Sequence, residues 1–250
     1  MILYKWDELP EFMKIPEVRP YWEILKKKRL QLILKRIFDF VVATILLVIF
    51  SLPMSIIAVM IKIDSDGGVF YRQERVTIYG KHFYIHKFRT MVKDADKFGT
   101  TVTIENDRRI TKIGNKLRKL RLDELPQLFD VIQGTMSFVG TRPEAVKYVK
   151  MYKLEYNATL LMPAGITSEA SIRYKNENEL ISMADDVDKV YLEKVLPSKM
   201  MWNLKGVREF GFLREILTMV RTIFAVLGKE YYEPTSSNVA SSQEYEIVKK

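Results

Sequence analysis

The stretch "FVVATILLVIFSLPMSIIAVMI", residues 40–61, runs for 22 residues without a formal charge. As one helix it would extend about 33 Å at 1.5 Å per residue, enough to cover a hydrocarbon core of about 30 Å. It therefore reads as a membrane element, and its length argues against a helix buried in a soluble core. Ser51 and Pro53 near its middle predict a bend, because proline removes a backbone donor and a serine hydroxyl can bond a freed carbonyl. Flanking charge sets no orientation: residues 24–36 hold six Lys or Arg and no acid, and Lys62 follows the run. A helix bent at Ser51-Leu52-Pro53 that enters and leaves by the same leaflet fits both observations. A single crossing stays open as the alternative.

Outward from this run, the composition is that of a folded chain. With 250 residues and 48% hydrophobic content there is ample material for a core. Forty Lys and Arg against 31 Asp and Glu leave a net charge of +9, which suits phosphorylated small molecules, acidic headgroups or nucleic acid. The absence of cysteine excludes disulfides, thiolate metal sites and cysteine nucleophiles. The N-terminus "MILYKWDELPEF" places acids and a proline ahead of any apolar run, unlike a cleavable signal peptide.

Downstream, "VFYRQERV" and "KHFYIHKF" flank a turn region at "IYG" and predict a hairpin. Period two puts Phe83 and Ile85 on one face, His82, Tyr84 and His86 on the other; no third ligand joins the two histidines. Residues 108–121 hold seven basic residues and no acid. Ile113, Leu117 and Leu120 give them a narrow apolar stripe at helical spacing. A helix is expected over 123–133, with Asp123 as N-cap, Pro126 in the first turn and Gly134 closing it. Residues 141–160 and 178–195 read as helical, "MPAGIT" as a loop, and 208–228 as an amphipathic helix carrying Phe212, Ile216, Met219, Val220 and Ile223 on one side. The polar end, 231–250, reads as a disordered tail.

The tetrapeptide Asp-Glu-Leu-Pro occurs twice, at 7–10 and at 123–126. Each copy is good helix-start grammar. Only the second follows Arg118, Lys119 and Arg121, cations that should favour an ionised carboxylate. An ionised, partly desolvated Asp is a workable nucleophile toward phosphorus, and the adjacent Glu can bind a hard cation. Arg72 and Arg75, Lys87 and Arg89, and Arg142 supply further cations suited to phosphate oxygens.

The order of these segments from about residue 35 to 225 resembles the bacterial sugar transferases, the monotopic phosphoglycosyl transferases. The matching pieces are the apolar helix with Ser51 and Pro53, "IKIDSDGGVFYRQERV", "KFRTM", "RRITKIGNKLRKLRLDELPQLFDVIQGTMSFVGTRPE", "AGIT", "LPSKM" and "LREILTMVRTI". The chain departs from the family pattern where Leu52 separates Ser51 from Pro53, at Arg75-Val76-Thr77, and at Ala164-Gly165-Ile166-Thr167-Ser168.

The resemblance implies a helix-rich α+β fold: a compact catalytic domain with a small hairpin, a re-entrant membrane helix and amphipathic interfacial helices. Its parts would be a basic extension over 1–36, the membrane helix over 37–63, a cytoplasmic catalytic domain over 64–230 and the tail. It implies magnesium-dependent transfer of a sugar 1-phosphate from a nucleotide diphosphate sugar, with a lean to UDP-sugar, to polyprenyl (undecaprenyl) phosphate at the bacterial inner membrane. Asp123 then matches the nucleophile and Glu124 the Mg2+ ligand. Arg89, Arg118 and Arg142 become phosphate-binding candidates, with Lys87, Arg72 and Arg75 behind them. Nucleic acid is not an expected partner; a homodimer is compatible. The competing reading is a non-catalytic, basic, membrane-anchored binding or scaffold protein.

Overall fold

The computed structural model describes residues 3–95, 107–174 and 187–227. The expected tail and the first part of the helix read over 178–195 lie outside these residues.

Two 3-10 turns, Trp6–Glu8 and Glu11–Met13, precede helix α1 (Arg19–Lys27). Helix α2 (Arg29–Asp64) follows as one 36-residue element, about 54 Å long at 1.5 Å per residue. It begins eight residues ahead of the expected position 37. Its buried residues Leu32, Lys35, Asp39, Ala43, Met54, Ile57 and Ile61 fall on one stripe at helical spacing. Leu46, Leu47 and Phe50 pack between the two halves of that stripe, so the helix docks on the rest of the chain along its whole length. The opposite face is apolar and exposed: Ile37, Val41, Ile45, Val48, Leu52, Ile56, Val59 and Ile63. Pro53 sits inside the helix. The Ser51 hydroxyl donates to the Val48 carbonyl at 2.7 Å and Ser55 to the Ser51 carbonyl at 2.9 Å. Neither hydroxyl reaches Ile49, the carbonyl that Pro53 leaves without its helical donor.

The hairpin is as expected. Strands β1 (Phe70–Val76) and β2 (His82–Phe88) pair antiparallel, from Phe70 opposite Phe88 to Val76 opposite His82. Phe83 and Ile85 are buried while His82 and Tyr84 are exposed, the period-two pattern. Helix α3 (Lys112–Lys119) is shorter than the basic stretch, because the Thr111 side chain caps it by accepting from the Gly114 N–H. Leu117 is buried but Leu120, past the helix end, is 62% exposed, so the expected stripe loses its last member. A 3-10 turn, Leu122–Glu124, leads to α4 (Gln127–Gln133), which Gly134 closes in the left-handed conformation at φ 83°.

Strand β3 (Met136–Val139) pairs in parallel with β4 (Ala164–Thr167), which corrects the loop expected at "MPAGIT". The strands were hidden because β3 is buried at all four positions and shows no alternation. The helix expected over 141–160 is also much reduced: α5 covers only Val146–Val149, and Leu154–Leu161 is a 3-10 segment. After α6 (Glu169–Arg173), α7 (Val187–Val190) continues through a π-helical turn, Tyr191–Val195, into α8 (Leu196–Arg208). The last described element, α9 (Phe212–Val226), is separate from α8, so the helix expected from 208 starts four residues late.

In α9, Phe212, Ile216 and Met219 are half-buried, whereas Leu213, Leu217, Val220, Ile223, Val226 and Leu227 are exposed. The buried side includes Glu215 and Thr218. Glu215 ion-pairs with the buried Lys35 of α2, which also donates to the Val139 carbonyl at 2.9 Å. Asp39, one turn on, accepts from the Ser137 hydroxyl at 2.7 Å. Burial pushes the Glu215 carboxyl up from 4.5 to about 7, against the pull of Lys35. Polar groups thus fasten α2 to β3 and α9. The N-terminal segment is fastened by apolar contact, with Leu3, Leu9, Met13, Val18, Tyr21, Trp22 and Leu25 in one cluster with Leu161, Met200 and Leu204.

Candidate active site

The site is built where β2, α3 and the turn before α4 meet. Gly114 lets α3 lie against the Thr90 backbone: a Cβ there would sit 2.0 Å from the Thr90 carbonyl oxygen. One turn further along α3, the Arg118 Nε donates to the Thr90 hydroxyl at 2.9 Å. Arg121 then adopts a left-handed conformation, φ 56° and ψ 18°, and reverses the chain into the Leu122–Glu124 turn.

This reversal changes the expected role of Asp123. It is not the N-cap; Arg121 holds that position for the 3-10 turn and Pro126 for α4. Asp123 is 9% exposed, and its Oδ1 has no hydrogen-bond partner among the described residues. Glu124 is held by two cations on one oxygen: Lys87 Nζ lies 3.0 Å and Arg142 2.5 Å from Oε1. Neither contact falls on Oε2.

Electrostatics divide the pair. The Glu124 carboxyl is held well below the ordinary range although burial opposes it, because Arg142 and Lys87 together outweigh desolvation. The Asp123 carboxyl is raised, first by burial and then by the Glu124 charge, against the pull of Lys87, Arg118 and Arg121. Preceding cations therefore do not win at Asp123. Burial lowers Lys87, Arg118 and Arg75 from their usual values, each opposed by a nearby carboxylate: Glu124, Asp123 and Glu144 respectively.

Of the predicted phosphate binders, Lys87, Arg118 and Arg142 meet the acidic pair. Arg75 stands behind them beside Glu144, whose Oε1 accepts from the Tyr191 hydroxyl at 2.6 Å. Arg89 goes elsewhere: its guanidinium donates to the carbonyls of Asp66 at 2.5 Å and Ser65 at 2.6 Å, closing the end of α2. Arg72 is exposed on β1. No contact with the acidic pair is seen for either; spacing along the chain does not say which carbonyls or solvent a long side chain reaches. His82 contacts Glu74 at 2.9 Å and His86 contacts Asp130 at 2.7 Å. No group of three metal-ligating side chains occurs among the described residues.

Mg2+ commonly takes one or two carboxylates and completes its shell with water and substrate phosphate. The Oε2 of Glu124, on which neither cation contact falls, is a carboxylate oxygen of that kind, so the residue fits the ion the resemblance implies. Arg121, expected only as a nearby cation, also sets the backbone reversal that presents Asp123. A non-glycine residue that reverses the chain leaves no periodic trace in the sequence.

Known proteins resemble this chain over the same region. It is 36% identical over 197 residues to the UDP-glucose:undecaprenyl-phosphate glucose-1-phosphate transferase of Escherichia coli (strain K12), covering 77% of this chain and 40% of that one. It is 32% identical over 197 residues to the UDP-N-acetylgalactosamine-undecaprenyl-phosphate N-acetylgalactosaminephosphotransferase of Aeromonas hydrophila, covering 78% and 44%. The chain thus spans about two fifths of the length of these two relatives. The exopolysaccharide production protein ExoY of Rhizobium meliloti (strain 1021) is 34% identical over 158 residues, covering 57% of this chain and 70% of that protein. Residues 30–229, from the first turn of α2 to just past α9, match the bacterial sugar transferase family, and the chain belongs to that family.

Proposed function

We propose that the chain transfers a sugar 1-phosphate from a UDP-sugar to undecaprenyl phosphate, through a phosphosugar bound to Asp123, and so starts assembly of a cell-surface polysaccharide or other glycan. The observation that carries this reading is the split pair: a fixed anion, Glu124, beside a buried carboxyl, Asp123, whose Oδ1 is unpartnered among the described residues. A carboxylate made more basic by burial is the better nucleophile once ionised. Its oxygen attacks the sugar-bearing phosphorus, the bond to the nucleoside monophosphate breaks, and the nucleotide leaves with that electron pair. A phosphate oxygen of the lipid then attacks the same phosphorus and the bond to Asp123 breaks, restoring the carboxylate. Lys87, Arg118, Arg121 and Arg142 offset charge on the phosphoryl oxygens. Glu124 would hold Mg2+, which would supply Lewis-acid stabilisation of the phosphoryl charge.

The lipid acceptor accounts for the apolar surface. Both halves of α2 dock on the same body, and a perpendicular crossing would pull that body into the bilayer. With both halves of α2 docked on that body, α2 enters and leaves by the inner leaflet, lying along its surface, with the exposed side of α9 beside it and the domain on the cytoplasmic side. Purified protein given UDP-sugars, undecaprenyl phosphate and Mg2+ should release UMP, and mass spectrometry without acceptor should find a sugar phosphate on Asp123. No UMP from any UDP-sugar would favour a scaffold.

A further inference from the structure

Gln127 is 1% exposed, and neither its Oε1 nor its Nε2 has a hydrogen-bond partner among the described residues. Unpartnered buried amide groups cost about 1 to 3 kcal/mol each, so an apolar side chain of similar volume would serve the fold better. Its neighbours on α4, Leu128 and Val131, are the apolar residues expected there.

Position explains the amide. Leu125 and Pro126 both have right-handed helical backbone, so the turn that carries Asp123 runs directly into α4, whose first residue is Gln127. Residues 123–127 thus carry three buried polar atoms without a partner among the described residues: Asp123 Oδ1, Gln127 Oε1 and Gln127 Nε2. An amide with both donor and acceptor unfilled suits a ligand that offers an oxygen acceptor beside an O–H or N–H donor. A phosphate ester of a sugar has that combination, with its phosphoryl oxygens next to the ring substituents. A nucleoside monophosphate leaving group, bonded on the far side of the phosphorus, does not reach it.

Resting on the transfer reaction proposed above, we infer that Gln127 is a binding residue for the transferred sugar phosphate. Its Nε2–H donates to a phosphoryl oxygen and its Oε1 accepts from a hydroxyl or amide N–H of the sugar. Gln127 would thus contribute to the choice of sugar, a task that the cations around Asp123, which see only phosphate, cannot perform.

The test uses the full chain in detergent with Gln127→Leu and Gln127→Met, two apolar replacements of similar volume. Unfolding temperature is measured without substrate, and affinities for UMP, UDP-glucose and UDP-N-acetylgalactosamine are measured alongside UMP release. The expected result is an unfolding temperature equal to or above wild type, UMP affinity changed less than about twofold, and affinity for the sugar nucleotide that wild type uses reduced about tenfold, the scale of one or two hydrogen bonds. A drop in unfolding temperature in both variants would overturn the inference by making the amide structural. So would unchanged sugar-nucleotide affinity while wild type turns over. Failure of wild type itself to bind any sugar nucleotide and release UMP overturns the transfer reaction, and this inference with it.

Discussion

The two copies of Asp-Glu-Leu-Pro fold into the same local structure and bury opposite halves of it. Each is a 3-10 turn beginning one residue before the Asp, Trp6–Glu8 in the first and Leu122–Glu124 in the second. In the first copy Asp7 and Glu8 are exposed and Leu9 is buried at 3% exposure. The Glu8 carboxylate reaches back 2.9 Å to the Lys5 backbone N–H, a capping bond that finishes its work locally. In the second copy Leu125 is half-buried, Asp123 is buried, and Glu124 bonds Lys87 and Arg142, 37 and 18 residues away. A tetrapeptide therefore specifies a turn; tertiary partners decide whether its carboxylates cap or react.

The strongest way to break this comparison is to swap the carboxylates for amides. Asp123→Asn should lower UMP release on the order of 10³-fold or more, the scale of removing a nucleophile. It should also raise the unfolding temperature, since it removes a buried charge repelled by Glu124. Asp7→Asn should stay within about twofold of wild type. Equal turnover by both variants would remove Asp123 as nucleophile. Next in size is Glu124→Gln, which strips the counter-charge from half-buried Lys87 and Arg142 and should cost roughly 3 kcal/mol in denaturant unfolding.

A third test contrasts Glu124 with another buried acid. Glu215 has one close cation where Glu124 has two, and burial wins, pushing it from 4.5 to about 7. Its folded value lies above its ordinary one, so the folded chain holds the extra proton between those limits. The resulting stability is complete below pH 4.5, declines toward pH 7 and is flat above it, roughly 3 kcal/mol in all. Stability measured from pH 4.5 to 7.5 should fall by about this amount in wild type, and Glu215→Gln should flatten the slope. A wild-type stability that rises over that range would contradict the burial argument.

What the sequence disclosed follows the range of the forces involved. The β1–β2 hairpin and the closure at Gly134 were legible because period-two burial and a left-handed glycine are local. The β3–β4 pair was not, because "MSFV" and "AGIT" are short, buried strands without alternation. Asp123 was misplaced as an N-cap because Arg121, a residue without glycine's freedom, takes the left-handed position. The acidic pair was singled out by its neighbours and the family pattern, but the direction of the Asp123 shift was not, since it depends on burial and on Lys87 from another element. Arg89 shows the limit most plainly: nothing in "HKFRTM" says that its guanidinium closes α2.

The N-terminal copy should respond where the catalytic one is weakest. Leu9→Ala removes a residue from the cluster that joins the N-terminal segment to α8, and should cost about 2 kcal/mol, the low end for buried leucines, with turnover per folded molecule unchanged. Leu125→Ala, at a half-buried site, should cost less. A loss of turnover with Leu9→Ala at full folding would mean that the N-terminal segment shapes the site.

The smallest effect is the most exacting check on the comparison. Glu8→Gln is chemically the same change as Glu124→Gln. The amide oxygen of the new side chain can still accept from the Lys5 N–H, so the capping bond survives. What disappears is the ion pair between Glu8 and the Lys5 ammonium, 4.0 Å apart with both side chains more than half exposed, and such pairs contribute little in water. The unfolding free energy should move by less than about 0.5 kcal/mol, and added salt should not change the difference appreciably. A shift near that of Glu124→Gln would mean that the turn itself, rather than the partners brought to it by β2 and the segment after β3, sets the cost of losing its acid.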